Sequence, residues 1–151
     1  MDAIEILRRC RTAERDIERL RIMIRQRREI IDRYARAPGA GWPREPSGPL
    51  ARILTDTEAL EGQLRNREER KAAETAAACV LLDRLPELEN RVLYALYLRG
   101  DTIAAAAKRL RYSEGYVRKI KARGESALGT LRGADVLAAL PRWYAEEEKE
   151  D

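Results

Sequence analysis

The sequence predicts an all-α protein in which a long antiparallel helical hairpin precedes a helix-turn-helix bundle. Three observations carry this. Apolar residues recur in alternating steps of four and three along two segments of similar length. A break rich in Pro and Gly, PGAGWPREPSGP, separates them. Downstream, residues 85–131 divide into three consecutive short helices, the last two joined by a three-residue turn. Composition agrees: 37% of residues are charged, which suits long solvated helices, and only 5% are aromatic, with no Phe.

The first stripe is Ile6, Cys10, Ala13, Ile17, Leu20, Ile24, Arg27, Ile31 and Tyr34. The second is Ile53, Thr57, Leu60, Leu64, Arg67, Lys71, Glu74, Ala78, Leu81 and Leu85. Pro and Gly close the first helix, and Pro49 suits the first turn of the next, with Ser47 or Gly48 as its cap. Helices of roughly 35 residues would each be about 50 Å long. Equal lengths and a short connection make the pair antiparallel over residues 1–84, with the turn at about residues 38–48. Folding at about Trp42 brings Cys10 near Cys79, as two reduced thiols. Trp42 itself is expected to pack under the proline turns. The second stripe is polar at Arg67, Lys71 and Glu74, so a lone hairpin would be marginal; self-association, as a homodimer or otherwise, is expected through it. Acids nearly balance the arginines of the first helix, and Glu29 with Arg33 and Glu61 with Arg65 stand at i,i+4. That pattern describes a solvated, ion-paired face.

Several function classes are disfavoured. There is no His, which removes the commonest general base and the commonest metal ligand together. Cys10 and Cys79 give neither a disulfide framework nor zinc spacing. No phosphate-binding Gly loop, nucleophile elbow or spaced carboxylate cluster is present. The chain is therefore expected to be no enzyme and to carry no cofactor or metal. No apolar run approaches the ~20 residues of a membrane span, and no signal-peptide pattern opens the chain, so a cytoplasmic location without membrane contact is expected.

The net charge of +4 conceals an uneven distribution. Residues 1–85 carry 18 basic and 15 acidic groups, residues 86–132 carry 10 and 5, and residues 133–151 carry 2 and 6. The cationic excess is thus densest in the helix-turn-helix, where seven Lys or Arg lie between Lys108 and Arg123 against one acid, Glu114. A basic helix on a compact scaffold is what major-groove reading of double-stranded DNA requires.

Within residues 85–132, Pro86 opens the first helix, with Leu88, Val92, Leu93, Leu96 and Tyr97 as its apolar stripe. Gly100 stops it, and Asp101 or Thr102 caps the alanine-rich second helix, Ile103–Leu110. The turn is Arg111, Tyr112, Ser113, with Ser113 as the N-cap of the third helix. There, Val117, Ile120, Gly124 and Leu128 share the core side. Gly115, Arg118, Lys119 and Ala122 share the other. Glu114, Arg118 and Lys119 are the candidate base readers, while Gly115 and Ala122 allow close approach to the groove. Lys108, Arg111, Lys121, Arg123 and the Ser113 hydroxyl are the candidate phosphate contacts. Tyr112 is expected in the core; Tyr116 is assigned to neither side.

The order LPELENRVLYALYLRGDTIAAAAKRLRYSEGYVRKI resembles region 4 of bacterial sigma factors. More closely it resembles phage-encoded regulators related to that region, including the ArpU and RinA types of late-gene activator. The resemblance implies binding to promoter-type DNA, regulation of phage or prophage genes, and possible contact with RNA polymerase. It covers the helix-turn-helix well and the hairpin only in layout. This chain departs from the pattern at Ala106, where a large apolar residue is usual, and at Arg111, where Gly is usual. A positive φ at Arg111 would cost on the order of 1 kcal/mol.

Beyond Gly133, one more short helix is expected, with Val136, Leu137 and Leu140 on one side and Pro141 at its end. Trp143 and Tyr144 are candidates to pack back on the domain, and the residues from Glu146 are expected to form a disordered acidic tail. The functional expectation is a sequence-specific DNA-binding transcriptional regulator of phage type. The alternatives are a phage packaging protein resembling a small terminase subunit, or a protein-interaction module contacting RNA polymerase.

Overall fold

The computed structural model describes residues 1–36 and 48–150, the last three as backbone only. Among the described residues seven α-helices run in order: α1 (Ala3–Arg36), α2 (Pro49–Leu82), α3 (Glu87–Leu93), α4 (Ile103–Leu110), α5 (Glu114–Gly129), α6 (Gly133–Ala138) and α7 (Arg142–Glu150). A π-helical turn, Tyr94–Leu98, extends α3. No strand occurs among the described residues. The expected loop tip, including Trp42, lies outside them. The helices group into two compact units, Met1–Glu14 with Arg70–Asp151, and Arg15–Glu69.

In the unit Arg15–Glu69, burial on α1 follows the heptad period: Ile17, Ile24 and Ile31 are buried, seven residues apart. Antiparallel pairing is visible in the ion pairs. Arg21 bonds Glu68 at 3.3 Å and Arg28 bonds Glu61. Seven residues forward on α1 are therefore seven back on α2. Arg67, read as a polar interruption of the seam, is exposed and pairs with Asp16 at 3.5 Å. Such exposed pairs contribute at most about 1 kcal/mol each, so register is held mainly by the isoleucines. Two expectations differ. Glu61 bonds the facing helix and not Arg65, because antiparallel packing brings Arg28 within reach. Tyr34 is exposed, one step past the last buried seam residue, Ile31.

The other unit holds the larger core. Ile6, Leu7, Leu81, Leu82, Val92, Leu93, Leu96, Val117, Ile120 and Leu128 are all almost fully buried in one cluster. The hairpin's polar seam positions are resolved here by specific partners. Lys71 bonds Glu14. Glu74 is 5% exposed and accepts a 2.6 Å hydrogen bond from the Tyr144 hydroxyl. That hydroxyl in turn accepts one of 2.6 Å from Arg9 Nη1. The Arg70 guanidinium lies 5.2 Å from the centre of the Tyr144 ring. Cys10 and Cys79 are both free thiols. Burial, reinforced by Glu74, pushes the Cys10 thiol up to about 11, which keeps it protonated and unreactive at neutral pH.

The C-terminal segment departs from expectation in two ways. α6 ends before Pro141 with Val136 buried, but Leu137 is 53% exposed. Residues from Glu146 onward continue α7 to Glu150 and do not form a disordered tail. The physical reason is the burial of Tyr144, at 1% exposure, which anchors the first turns of α7 to the unit.

The π-helical turn was also unforeseen. Ala95, Leu96 and Tyr97 are three consecutive buried residues, which a regular helix, turning 100° per residue, does not place on one side. The wider turn ends at Gly100, whose φ is 74°. Tyr97 then donates its hydroxyl proton to Glu125 on α5. Burial, with Glu125 beside it, pushes the Tyr97 phenol up from 10.0 to about 12. Because the folded value is raised, this stabilisation is complete below pH 10 and is lost as the pH rises towards 12. Chemical denaturation across that window is expected to show falling stability. In Tyr97→Phe the fall should be shallower, and an unchanged slope would refute the linkage.

Candidate nucleic-acid interface

The helix-turn-helix is specified locally. Thr102 caps α4, its side chain accepting from Ala105 N at 3.1 Å. Ser113 caps α5 in the same manner, accepting from Tyr116 N at 3.2 Å. Between them Arg111 adopts φ 62° and ψ 42°, a left-handed conformation that Gly enters freely and Arg enters at a cost of on the order of 1 kcal/mol. The departure from Gly is therefore real strain at the turn.

α5 then buries Val117, Ile120, Gly124 and Leu128, the four positions expected from spacing. Gly124 is needed for its size. A Cβ there would lie 2.8 Å from Leu93 Cδ1, and Leu93 is fully buried in the core with little room to move. This close crossing of α3 and α5 fixes the direction in which α5 presents its outer side. Ala106 and Ala107 are the buried residues of α4, so a small side chain takes the core position where a large apolar group is usual.

The outer side carries the candidate contacts. Lys108, Arg111, Ser113, Glu114, Gly115, Arg118, Lys119, Ala122 and Arg123 are all exposed, and Lys121 is half-buried. Their partners divide them. Arg118 sits 3.7 Å from Glu114, both well exposed, a pairing too weak to hold the guanidinium from another acceptor. Among the described residues, Lys108, Arg111 and Lys119 have no acid within ion-pair distance. A Cβ at Gly115 would meet nothing within 4 Å, so backbone approach there is open.

Lys121 and Arg123 differ from the rest. Lys121 Nζ is 3.7 Å from Glu125, the acceptor of the Tyr97 hydroxyl. Arg123 Nη2 is 3.2 Å from Glu89, whose side chain is only 7% exposed. Both cations therefore serve acids of this fold. Glu89 was missed from sequence, although its spacing to Val92, Leu93 and Leu96 places it on the apolar stripe. Tyr112, expected in the core, is 44% exposed. Its ring instead meets that of Tyr116, one turn on, at 5.1 Å between centres.

A strained turn, two side-chain caps and a helix with a buried apolar side and an exposed cationic side define a helix-turn-helix domain. Residues 81–129, about a third of the chain, match the family described as Sigma-70, region 4. This segment is a sigma region 4-like helix-turn-helix, a DNA-binding type of domain. No curated protein and no solved structure matches the chain. No helix among the described residues is long and apolar enough to cross a membrane.

Proposed function

We propose that the protein is a sequence-specific DNA-binding transcriptional regulator of the phage or prophage type, working in the bacterial cytoplasm. The supporting observation is the exposed band of Lys108, Arg111, Arg118 and Lys119 on a segment that matches sigma-70 region 4. α5 enters the major groove. Arg118, Lys119 and Glu114 reach base edges, and Gly115 and Ala122 admit close approach. Lys108, Arg111 and the Ser113 hydroxyl bind phosphates. Lys121 and Arg123 reach phosphate only by leaving Glu125 and Glu89. Residues 85–132 are the DNA-binding domain. Residues 1–84 supply self-association, as a homodimer, or a surface for RNA polymerase, and residues 133–151 close the fold at the C-terminus.

The test is equilibrium binding of the full chain to duplexes selected from a random library, across a salt series, with solution mass measured in parallel. The expected result is a preferred duplex, steep weakening between about 50 and 200 mM salt, and a dimer. Undetectable duplex affinity at low salt would overturn the proposal in favour of a protein-interaction module. A ring of many subunits would redirect it to a packaging protein.

A further inference from the structure

We propose that Tyr112 and Tyr116 form a charge-free phosphate clamp, their hydroxyls donating to the backbone of one DNA strand beside the groove that α5 enters. The proposal rests on the DNA-binding reading above and adds to it a contact that is independent of charge.

Of the five tyrosines in the protein's larger unit, Tyr94 is exposed beneath the Arg99 guanidinium, and the other four divide by what their hydroxyls do. Tyr97 and Tyr144 are buried and donate to Glu125 and Glu74. Tyr112 and Tyr116 are 44% and 38% exposed, and no described residue bonds their hydroxyls. The two rings are not independent. Their centres are 5.1 Å apart with planes inclined at 51°, a tilted pairing that holds each ring against the other. Hydroxyls on rings already held in place lose less freedom on binding than those on free side chains.

Position selects the ligand. At 100° per residue, Tyr116 falls between the buried side of α5, at Val117 and Ile120, and the outer side, at Gly115 and Lys119. That is the flank of an inserted helix, where the phosphate wall of the groove runs, and not its base-reading centre. In sequence Arg111 adjoins Tyr112, Lys108 on α4 precedes it by four residues, and Lys119 follows Tyr116 by three on α5. None of these three cations has an acid partner among the described residues, so the surroundings favour an anion. A phenol hydroxyl is a strong neutral donor that matches a phosphate oxygen.

The test compares the wild-type chain with the Tyr112→Phe/Tyr116→Phe and Tyr112→Ala/Tyr116→Ala double variants. Each is titrated with a library-selected duplex and with a scrambled one over a salt series. Phe removes only the two oxygens at exposed positions, and circular dichroism confirms the fold. The expected result is roughly tenfold weaker binding of both duplexes by the Phe variant, the effect of one or two hydrogen bonds to a charged acceptor. The salt slope should stay at the wild-type value, because a neutral donor releases no counterion, whereas loss of a Lys or Arg contact lowers the slope by about one. Binding by the Phe variant within about twofold of wild type would overturn the clamp, because lost hydrogen bonds to phosphate weaken binding by more than that. A loss seen only with Ala would also overturn it, because the rings and not the hydroxyls would then touch DNA. Wild-type protein that binds no duplex would sink the DNA-binding reading and the clamp with it; wild-type binding with an unaffected Phe variant would sink the clamp alone.

Discussion

Replacing Tyr144 with alanine is expected to destabilise the unit that contains the helix-turn-helix by about 3–5 kcal/mol, the range for deleting a buried aromatic ring. Tyr144 is 1% exposed and is the largest of the fully buried side chains. Two effects add. The ring leaves a cavity among α1, α2 and α7 residues of one compact unit, and Glu74, 5% exposed, loses the donor to its carboxylate. Tyr144→Phe separates them. It keeps the ring and removes the hydroxyl that links Arg9 to Glu74, so it should cost about 1–3 kcal/mol, the penalty for an unmet buried acceptor. Packing is therefore expected to outweigh the hydrogen bonds. Urea denaturation followed by circular dichroism measures both variants. A loss below about 1 kcal/mol for alanine would show that α7 does not anchor the fold.

Removing both outer-side cations in Arg118→Ala/Lys119→Ala is expected to give the largest loss of DNA affinity. A base contact is worth about 1–3 kcal/mol and a phosphate contact changes the salt slope by about one. If both residues read bases, the variant should bind the selected and scrambled duplexes almost equally. If both serve phosphates, the two duplexes should weaken together while the slope falls by about two. Stability should be unaffected, since both residues are exposed and the Arg118–Glu114 pair at 3.7 Å contributes little. Wild-type affinity and slope in this variant would remove α5 from the interface. By contrast, Arg123→Ala should act on stability, because it strands Glu89.

The helix-turn-helix was legible almost residue by residue. The limits Ile103–Leu110, the Ser113 cap and the four buried positions of α5 follow from neighbours within a turn or two, whereas the left-handed Arg111 follows from the resemblance, in which Gly is usual at that turn. Hairpin layout was legible for a related reason, since a seven-residue period survives any detail of packing. The candidate site was legible as a set of exposed cations but not in its internal order. The i,i+4 spacing to Glu125 sets Lys121 apart from Lys119 locally, whereas nothing local pairs Arg123 with Glu89, which lies on another helix.

What the chain's own order determined, then, is its helices, their caps and the side of each that is apolar, because hydrogen bonds and side-chain spacing within one element settle these. The tertiary structure alone decided that Tyr144 would meet Glu74 across 70 positions of sequence, that Arg123 would serve Glu89, and that Tyr112 would stand outside the core beside Tyr116. Each of these depends on which helices cross and how closely, and the crossing is set where Leu93 packs against the bare backbone of Gly124.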